Sequence, residues 1–320
     1  MAASQVVRGT FAPGKAVVSA VLALIALVLM LAPLVIYPVF VMQALCFALF
    51  ACAFNLLLGY AGLLSFGHAM FLGSAGYICA HGVKEWGLEP LAAVLIGAGA
   101  AAAIGLFAGV LAVRRQGIYF AMITVAFSQM IYFYCLQAQF THGEDGITNA
   151  QPGKLLGIVN LSDSTNMYYF VVAGTVFGFW MIYRTVNSPF GDVLKAIREN
   201  EPRAISLGYR VDQYKLAAFV ISAALAGLAG GLKALVAQNA SLTDVSFSTS
   251  GEVVLMTLLG GMGTLSGPVV GAFLIVFMKF FLSGLGQWVT VIQGLIFVIC
   301  VLLFPRGIVG GLERLAKWSL

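Results

Sequence analysis

Few segments of this chain combine residue types and spacings that would support chemistry. The segment GTFAPGKA (9–16) is similar to a phosphate-binding G-x-x-x-x-G-K-[ST] loop, but Ala16 replaces the Ser or Thr that holds magnesium, and no strand precedes it. The five cysteines are spaced for neither a zinc site nor a disulfide framework, and we expect small buried side chains at Cys46, Cys52, Cys79, Cys135 and Cys300. We therefore expect no catalytic residues, metal site or cofactor site in this chain, and any ATP chemistry belongs to another protein.

The composition indicates which elements must position the remaining polar residues. Of the 320 residues, 61% are hydrophobic and only 9% are charged, whereas a soluble domain carries about 25% charged residues. The mean hydropathy is +0.99. These values exclude a soluble protein and predict an all-α polytopic membrane protein that forms a single domain over 1–320. The 37 glycines fit close packing between membrane helices.

About 20 apolar residues cross a bilayer, and the chain offers nine stretches of that order with a shorter one at 253–264. We therefore predict ten spans, or nine if 253–264 is a re-entrant segment: 16–36, 38–58, 62–80, 91–113, 118–138, 167–183, 216–236, 253–264, 267–285 and 288–304. With ten spans and a cytoplasmic N-terminus, thirteen of the 17 basic residues fall on the inner side, as short cytoplasmic loops require. Both termini are then cytoplasmic. Lys233 and Lys279 lie within spans near their outer ends, where they could snorkel.

Several uncharged polar residues interrupt these spans and are candidates for a translocation pathway: Asn55, Ser65, His68, Ser128 and Gln129. A histidine in an apolar span is costly and suggests a function. The alternative for His68 is an interfacial position near Gly62, where water or a headgroup satisfies it. The alternative for the others is an interhelical hydrogen bond. No Asp or Glu lies well inside a predicted span, Glu252 being the nearest, so energy for uphill transport must come from outside this chain.

The longest inner loop, 184–215, has an internal order that an ordinary solvated loop does not need. Residues 191–200 form an amphipathic pattern with Val193, Leu194 and Ile197 on one side. Pro202 suits the first turn of a second helix that Gly208 ends. Two short helices that carry both charge signs predict a docking surface for a soluble partner.

Two glycine-rich stretches, 59–74 and 259–271, contain similar Leu-Ser cores at 64–67 and 265–267. This similarity is a weak indication of an internal duplication, and interrupted segments at corresponding positions of a transporter point to its pathway. Tight helix packing through small residues is the alternative interpretation.

The sequence resembles the permease subunits of ATP-binding-cassette importers of the branched-chain amino acid type. The resemblance rests on six segments in the expected order: FNLLLGYAGLLSFGHAMF (54–71), GIYFAMITVAF (117–127), SPFGDVLKAIRENEPRAISLGY (188–209), KLAAFVISAALAGLAGGL (215–232), GGMGTLSGPVVGA (260–272) and FPRGIVG (304–310). It implies a second homologous permease subunit, two cytoplasmic ATPases that bind ATP and magnesium, and a periplasmic solute-binding protein. The resemblance also implies that the inner loop contacts the ATPase.

The coupling pattern E-A-A...G of such importers is only approximated here by Glu201, Ala204 and Gly208, and Lys195 and Arg198 complete the predicted coupling set. The segment Gly143–Thr148 is similar to the outer loop where the binding protein would dock. The resemblance implies a permease for branched-chain or related amino acids in the bacterial inner membrane. Urea or short amides remain alternative substrates, and a self-sufficient channel for a small neutral solute is the alternative mechanism. The net charge of +5 follows from the excess of basic residues in the cytoplasmic loops, and we therefore expect no nucleic acid partner.

Overall fold

A computed structural model describes residues 37–310 except 116, 156, 158, 283, 285, 287 and 304–306. The predicted span 16–36 and both termini lie outside the described residues. Within them the chain is mostly helical, with four strands of two residues each, so the predicted all-α class needs a small correction. The helices are α1 (Pro38–Asn55), α2 (Ala69–Lys84), α3 (Pro90–Ala112), α4 (Ile118–Gln137), α5 (Ser164–Val186), α6 (Pro189–Glu199), α7 (Glu201–Ser206), α8 (Val211–Ala237), α9 (Leu242–Val245), α10 (Phe247–Gly260), α11 (Gly267–Leu282) and α12 (Trp288–Leu303).

The helices α1 and α8 form the centre of the bundle. Most of α1 and α8 is buried, whereas α3, α4 and α5 leave most of their apolar surface exposed. Each of these five helices, α1 together with the π-helical turn that follows it, is long and apolar enough to cross a membrane. Because apolar side chains on the outside of a bundle are stable only in lipid or against another apolar surface, this arrangement is that of a polytopic membrane protein.

Close backbone contact holds α8 against its neighbours. Gly230 lies so close to α2 that a Cβ atom there would meet the carbonyl oxygen of Leu72. A Cβ atom at Gly227 would likewise meet the Cα atom of Ala98 and the Cβ atom of Ala101 on α3. Small residues on α8 therefore allow three helices to pack with their backbones nearly in contact, which maximises dispersion contacts where lipid competes with any apolar side chain.

Several helices are interrupted. A π-helical segment, Leu56–Ala61, extends α1 and ends at Gly62, which has a left-handed φ of 74°. The next six residues are not helical and α2 begins only at Ala69, so the predicted start of this span at 62 was wrong. The predicted segment 253–264 is shifted, because its helix α10 starts at Phe247 and stops at Gly260, before a Gly261 with φ 120°.

Four short strands lie at one end of the bundle. β1 (Ile147–Thr148) pairs antiparallel with β4 (Asn239–Ala240), and β2 (Lys154–Leu155) pairs antiparallel with β3 (Val159–Asn160). The helices α6 and α7 form the connection from the end of α5 to the start of α8, and this connection lies at the opposite end of the bundle. We call these two sides of the protein the strand end and the loop end.

Candidate functional site

The connection between α5 and α8 folds as two short helices, as the sequence predicts, although α5 extends to Val186 and α8 begins at Val211. Pro189 occupies the first turn of α6. The side chain of Asn200 caps α7 by accepting a hydrogen bond from the backbone N–H of Arg203 at 3.1 Å. Beyond α7, Gly208 adopts a φ of 88°, which ends the helix as predicted.

The predicted coupling residues take different positions in this loop. Lys195 forms an exposed ion pair with Asp192 at 3.1 Å. Glu201 forms an ion pair with the buried Lys215 at 2.7 Å, and Ala204 is buried. The charge of Glu201 and the methyl group of Ala204 therefore hold α7 against the start of α8, and these side chains are not free to form a docking face. Gly208 is exposed.

Three apolar side chains form an exposed patch beside them. Ile205, Leu207 and Tyr209 are 58%, 68% and 41% exposed. The amphipathic pattern and the charges of the two helices do not reveal this patch. A signal was present, since Ile205 lies off the apolar face that contains Ala204 and Leu207 follows the last residue of α7.

The fifth coupling residue, Arg198, connects α6 to the interruption after α1. Its Nη1 donates a hydrogen bond to the carbonyl oxygen of Gly59 in the π-helical segment. Its Cγ atom lies so close to Gly62 that a Cβ atom there would come within 3.1 Å. Because α6 is itself packed against the bundle, a movement of α6 would act directly on the loop-end terminus of α1.

The two glycine-rich stretches meet next to this contact. The Asn55 side chain donates a hydrogen bond to the carbonyl oxygen of Thr264 at 2.7 Å and accepts one from the backbone N–H of Gly263 at 2.9 Å. One side chain on α1 thus satisfies two backbone groups of the connection between α10 and α11. Arg198, Asn55 and the two glycine-rich stretches form one continuous set of contacts, which we call the coupling junction.

The two hydrogen bonds of Asn55 in the coupling junction are expected to stabilise the fold. In an Asn55→Leu variant, the Gly263 N–H and the Thr264 carbonyl lose their partner in a half-buried setting, where each unpaired group costs about 1 kcal/mol. We expect the free energy of unfolding to fall by about 2 kcal/mol, measured by thermal unfolding of the purified protein in detergent. Gln151→Leu, which removes an exposed hydrogen bond to Asn149, is the control and should leave it unchanged. Equal stability of the two variants would contradict the role given to Asn55.

His68 is completely buried within the bundle, so the interfacial position considered from the sequence is wrong. Its Nε2 lies 2.9 Å from the Ser222 hydroxyl, and that hydroxyl donates a hydrogen bond to the Ala53 carbonyl at 2.5 Å. Because the Ser222 hydroxyl uses its hydrogen for Ala53, His68 Nε2 carries the ring N–H hydrogen and donates a hydrogen bond to the Ser222 oxygen. The rings of Phe50, Phe54 and Phe71 surround the imidazole, with centroids 5.2–6.0 Å away.

The structure brings two other candidate pathway residues, Ser65 and Ser128, to Gly67, the neighbour of His68 in the sequence. The Ser65 hydroxyl accepts a hydrogen bond from the Gly67 N–H at 3.4 Å. Gly67 lies against the backbone of Thr124 on α4, and the Cβ atom of the buried Ser128 lies beside it. Gln129, the next residue of α4, is half-buried. Among the described residues, the buried Ser128 hydroxyl and His68 Nδ1 have no hydrogen-bond partner.

The structure also brings together four charged residues that the sequence analysis placed apart. Lys233 on α8 pairs with Asp244 on α9, and Lys279 on α11 pairs with Glu252 on α10 at 2.6 Å. Both lysines lie near the ends of their helices, as predicted, and both are held in ion pairs. The sequence did not predict the pairs, because their members belong to different helices whose packing no local pattern specifies.

Four of the five cysteines are buried and Cys300 is half-buried, as expected for small apolar side chains. In the part of the chain that the structure describes, no group of three or more His, Cys, Asp or Glu side chains is placed to hold a metal ion.

The chain is similar in sequence to known transport proteins. The high-affinity branched-chain amino acid transport system permease protein LivM of Salmonella typhimurium is 27% identical over 79% of this chain, and LivM of Escherichia coli is equally similar. This chain spans 65% of the length of each of these relatives. A probable branched-chain amino acid transport permease protein LivH of Methanocaldococcus jannaschii is 28% identical over 44% of this chain and 46% of its own length.

No solved structure matches the chain significantly. A family profile described as branched-chain amino acid transport system, permease component, matches residues 36–304. The profile covers the helices from α1 to α12, and with them the coupling junction and both ion pairs. The chain therefore belongs to the family of permease components of branched-chain amino acid transport systems.

Proposed function

We propose that this chain is the permease subunit of an ATP-binding-cassette importer that carries branched-chain or related amino acids across the bacterial inner membrane. The observation that carries the proposal is the coupling junction, in which a surface loop contacts the interrupted helices through Arg198 and Asn55. A channel that works alone has no need for such a loop. The names of the relatives, which describe branched-chain amino acid transport permeases, support the same conclusion.

The loop end is the cytoplasmic end in this proposal. Arg184, Lys195, Arg198, Arg203 and Arg210 lie at or near this end, in agreement with the excess of basic residues in cytoplasmic loops. With the predicted span 16–36, the chain has ten membrane segments and both termini are cytoplasmic. The helix α10 is only 14 residues long, or about 21 Å at 1.5 Å per residue, and with α9 it forms a broken segment that enters from the strand end.

The exposed patch of Ile205, Leu207 and Tyr209 is the main contact for one of two cytoplasmic ATPases. Apolar and aromatic side chains at the centre of an interface supply most of its binding energy. Lys195, Arg198 and Gly208 border the patch, whereas Glu201 and Ala204 keep α7 in place. Movement of the ATPase would reach Gly59 and Asn55 through α6.

The strand end faces the periplasm and receives the solute-binding protein. In the segment Gly143–Thr148, β1 pairs with β4, and this pairing fixes the exposed carboxylates of Glu144 and Asp145 beside it. A second homologous permease completes the pathway. The polar interior formed by Asn55, Ser65, His68, Ser128 and Gln129 contributes to that pathway, and the ATP and magnesium are held by the ATPases.

Uptake into proteoliposomes tests the proposal. The chain is reconstituted with a second permease, two ATPases and a solute-binding protein from the same organism, and radiolabelled L-leucine is supplied with ATP or with a non-hydrolysable analogue inside. We expect leucine to accumulate only with ATP. Uptake that is equal without ATP hydrolysis would instead identify a self-sufficient facilitator, and competition by excess urea would identify a urea or amide permease.

A further inference from the structure

The two ion pairs described above share one aromatic ring. The ammonium group of Lys233 lies 5.7 Å from the centroid of the Phe47 ring, and that of Lys279 lies 5.8 Å from it. Each ammonium group is therefore within cation–π range of the ring while it is bound to its carboxylate partner. Phe47 joins Lys233, Asp244, Glu252 and Lys279 into one cluster, which we call the Phe47 cluster.

The Phe47 cluster lies towards the strand end of the bundle. Lys233 is four residues before the end of α8, Lys279 is three residues before the end of α11, and Glu252 is five residues after the start of α10. At 1.5 Å per residue, these charges are about 5–8 Å along their helices from the strand-end termini. A solute that enters from the strand end would therefore meet them before it reached the apolar interior.

Ion pairs such as these add little net stability. A buried ion pair loses hydration energy that its attraction only partly returns, and well-packed apolar residues in its place are often equally or more stable. The cluster is also only partly enclosed, because the side chains of Lys279 and Glu252 remain 39% and 21% exposed. A small molecule that reaches this side of α1 would meet both charge signs and an aromatic face.

We propose that the Phe47 cluster is a contact site for the two charged groups of a zwitterionic amino acid on its way through the permease. This inference rests on the function proposed above and names the residues that recognise the substrate backbone. The carboxylate of the amino acid binds a lysine ammonium, its ammonium binds Glu252 or Asp244, and its side chain lies against Phe47. No covalent bond forms or breaks.

The charge balance of the cluster favours this class of solute. Two cations and two anions give no net charge, so a free ion gains little from the site as a whole. A zwitterion can replace both partners of one ion pair at the same time, which leaves neither charge of that pair unpaired. Urea carries no charges to exchange, and the cluster therefore discriminates between amino acids and neutral amides.

The test uses two double variants that remove whole pairs, Glu252→Gln with Lys279→Met and Asp244→Asn with Lys233→Met. Neither leaves an unpaired charge, so both are expected to assemble with their partners and to keep ATP hydrolysis within about twofold of wild type. Uptake of L-leucine by the reconstituted complex should fall at least about tenfold, since a hydrogen bond to a charged group contributes about 1.5–3 kcal/mol. Lys154→Met, which removes an exposed lysine at the strand end, is the control and should not change uptake.

A further variant separates substrate contact from a purely structural role. Exchanging Glu252→Lys with Lys279→Glu keeps an ion pair between α10 and α11 but reverses its direction. If the pair only holds the helices together, the exchanged variant should take up leucine as fast as wild type does. That result would overturn the proposal. Uptake within twofold of wild type in both double variants overturns it as well. If the wild-type complex itself shows no ATP-driven leucine uptake, the proposed function fails, and this outcome is distinct from a failure of the cluster.

Discussion

A Leu207→Asp variant is expected to lose its ATPase partner while it keeps its own fold. Leu207 is 68% exposed, so the substitution removes little packing within the chain. In the docked complex it would place a carboxylate in an apolar contact, which costs at least about 2 kcal/mol and about 30-fold in affinity. Co-purification of the ATPase with the tagged permease measures this loss, and ATP-driven leucine uptake should fall in parallel.

A matched substitution at the other end of the bundle is the control for this result. Val159 in β3 is also an exposed apolar residue, and Val159→Asp should retain the ATPase in full. Normal ATPase recovery with Leu207→Asp would show that the ATPase docks elsewhere on the loop end. Loss of the ATPase in both variants would point to general misfolding, which thermal unfolding of the permease alone would reveal.

The second large effect concerns the packing of α8 against α2. In a Gly230→Leu variant, the new side chain would collide with the backbone of Leu72. Backbone atoms cannot move aside as a flexible side chain can, so we expect a destabilisation of more than about 3 kcal/mol, at the upper end of overpacking effects. Folded protein in the membrane, measured by fluorescence-detected size-exclusion chromatography, should fall to a small fraction of wild type.

Gly99 provides the matched control on α3. It is exposed, and a Cβ atom there would meet nothing within 4 Å. Gly99→Leu should leave the yield unchanged or raise it, because leucine has a higher helix propensity than glycine by about 1 kcal/mol or less. Similar yields of the two variants would contradict the close contact between α8 and α2.

The loop helices could be predicted because local rules determine them. Pro202 near the start of α7, the cap at Asn200 and the left-handed Gly208 each act within a few residues, so the sequence contains the whole signal. The predicted helices between 91 and 138 agree with α3 and α4 for a similar reason, since length and composition define a membrane span.

The interrupted helices were harder to predict. Leu63, Leu64 and Phe66 make the start of the segment 62–80 apolar, and hydropathy alone therefore began the predicted span at 62. The structure ends α1 there because Gly62 adopts a left-handed conformation next to Arg198. Long-range contacts such as Arg198 to Gly59 join residues that are 139 positions apart, and no local pattern contains that information.

The same limit applies to the charges and to His68. Position in the sequence placed Lys279 near one end of its span, and it left His68 either in the pathway or near an interface. The fold supplies Glu252 to the lysine and Ser222 to the histidine, from helices far from each in the sequence. Residue type correctly marked both side chains as costly, but only the packing of the helices shows how each one is satisfied.

The bridge made by Asn55 also has a consequence for biosynthesis. Its two partners lie 208 and 209 residues further along the chain, and ribosomes add about 5–20 residues per second. For roughly 10–40 s after Asn55 is synthesised, its amide has no native partner and must be satisfied by water or by the insertion machinery. The bundle is therefore completed late, when α10 and α11 arrive beside a helix that entered the membrane among the first.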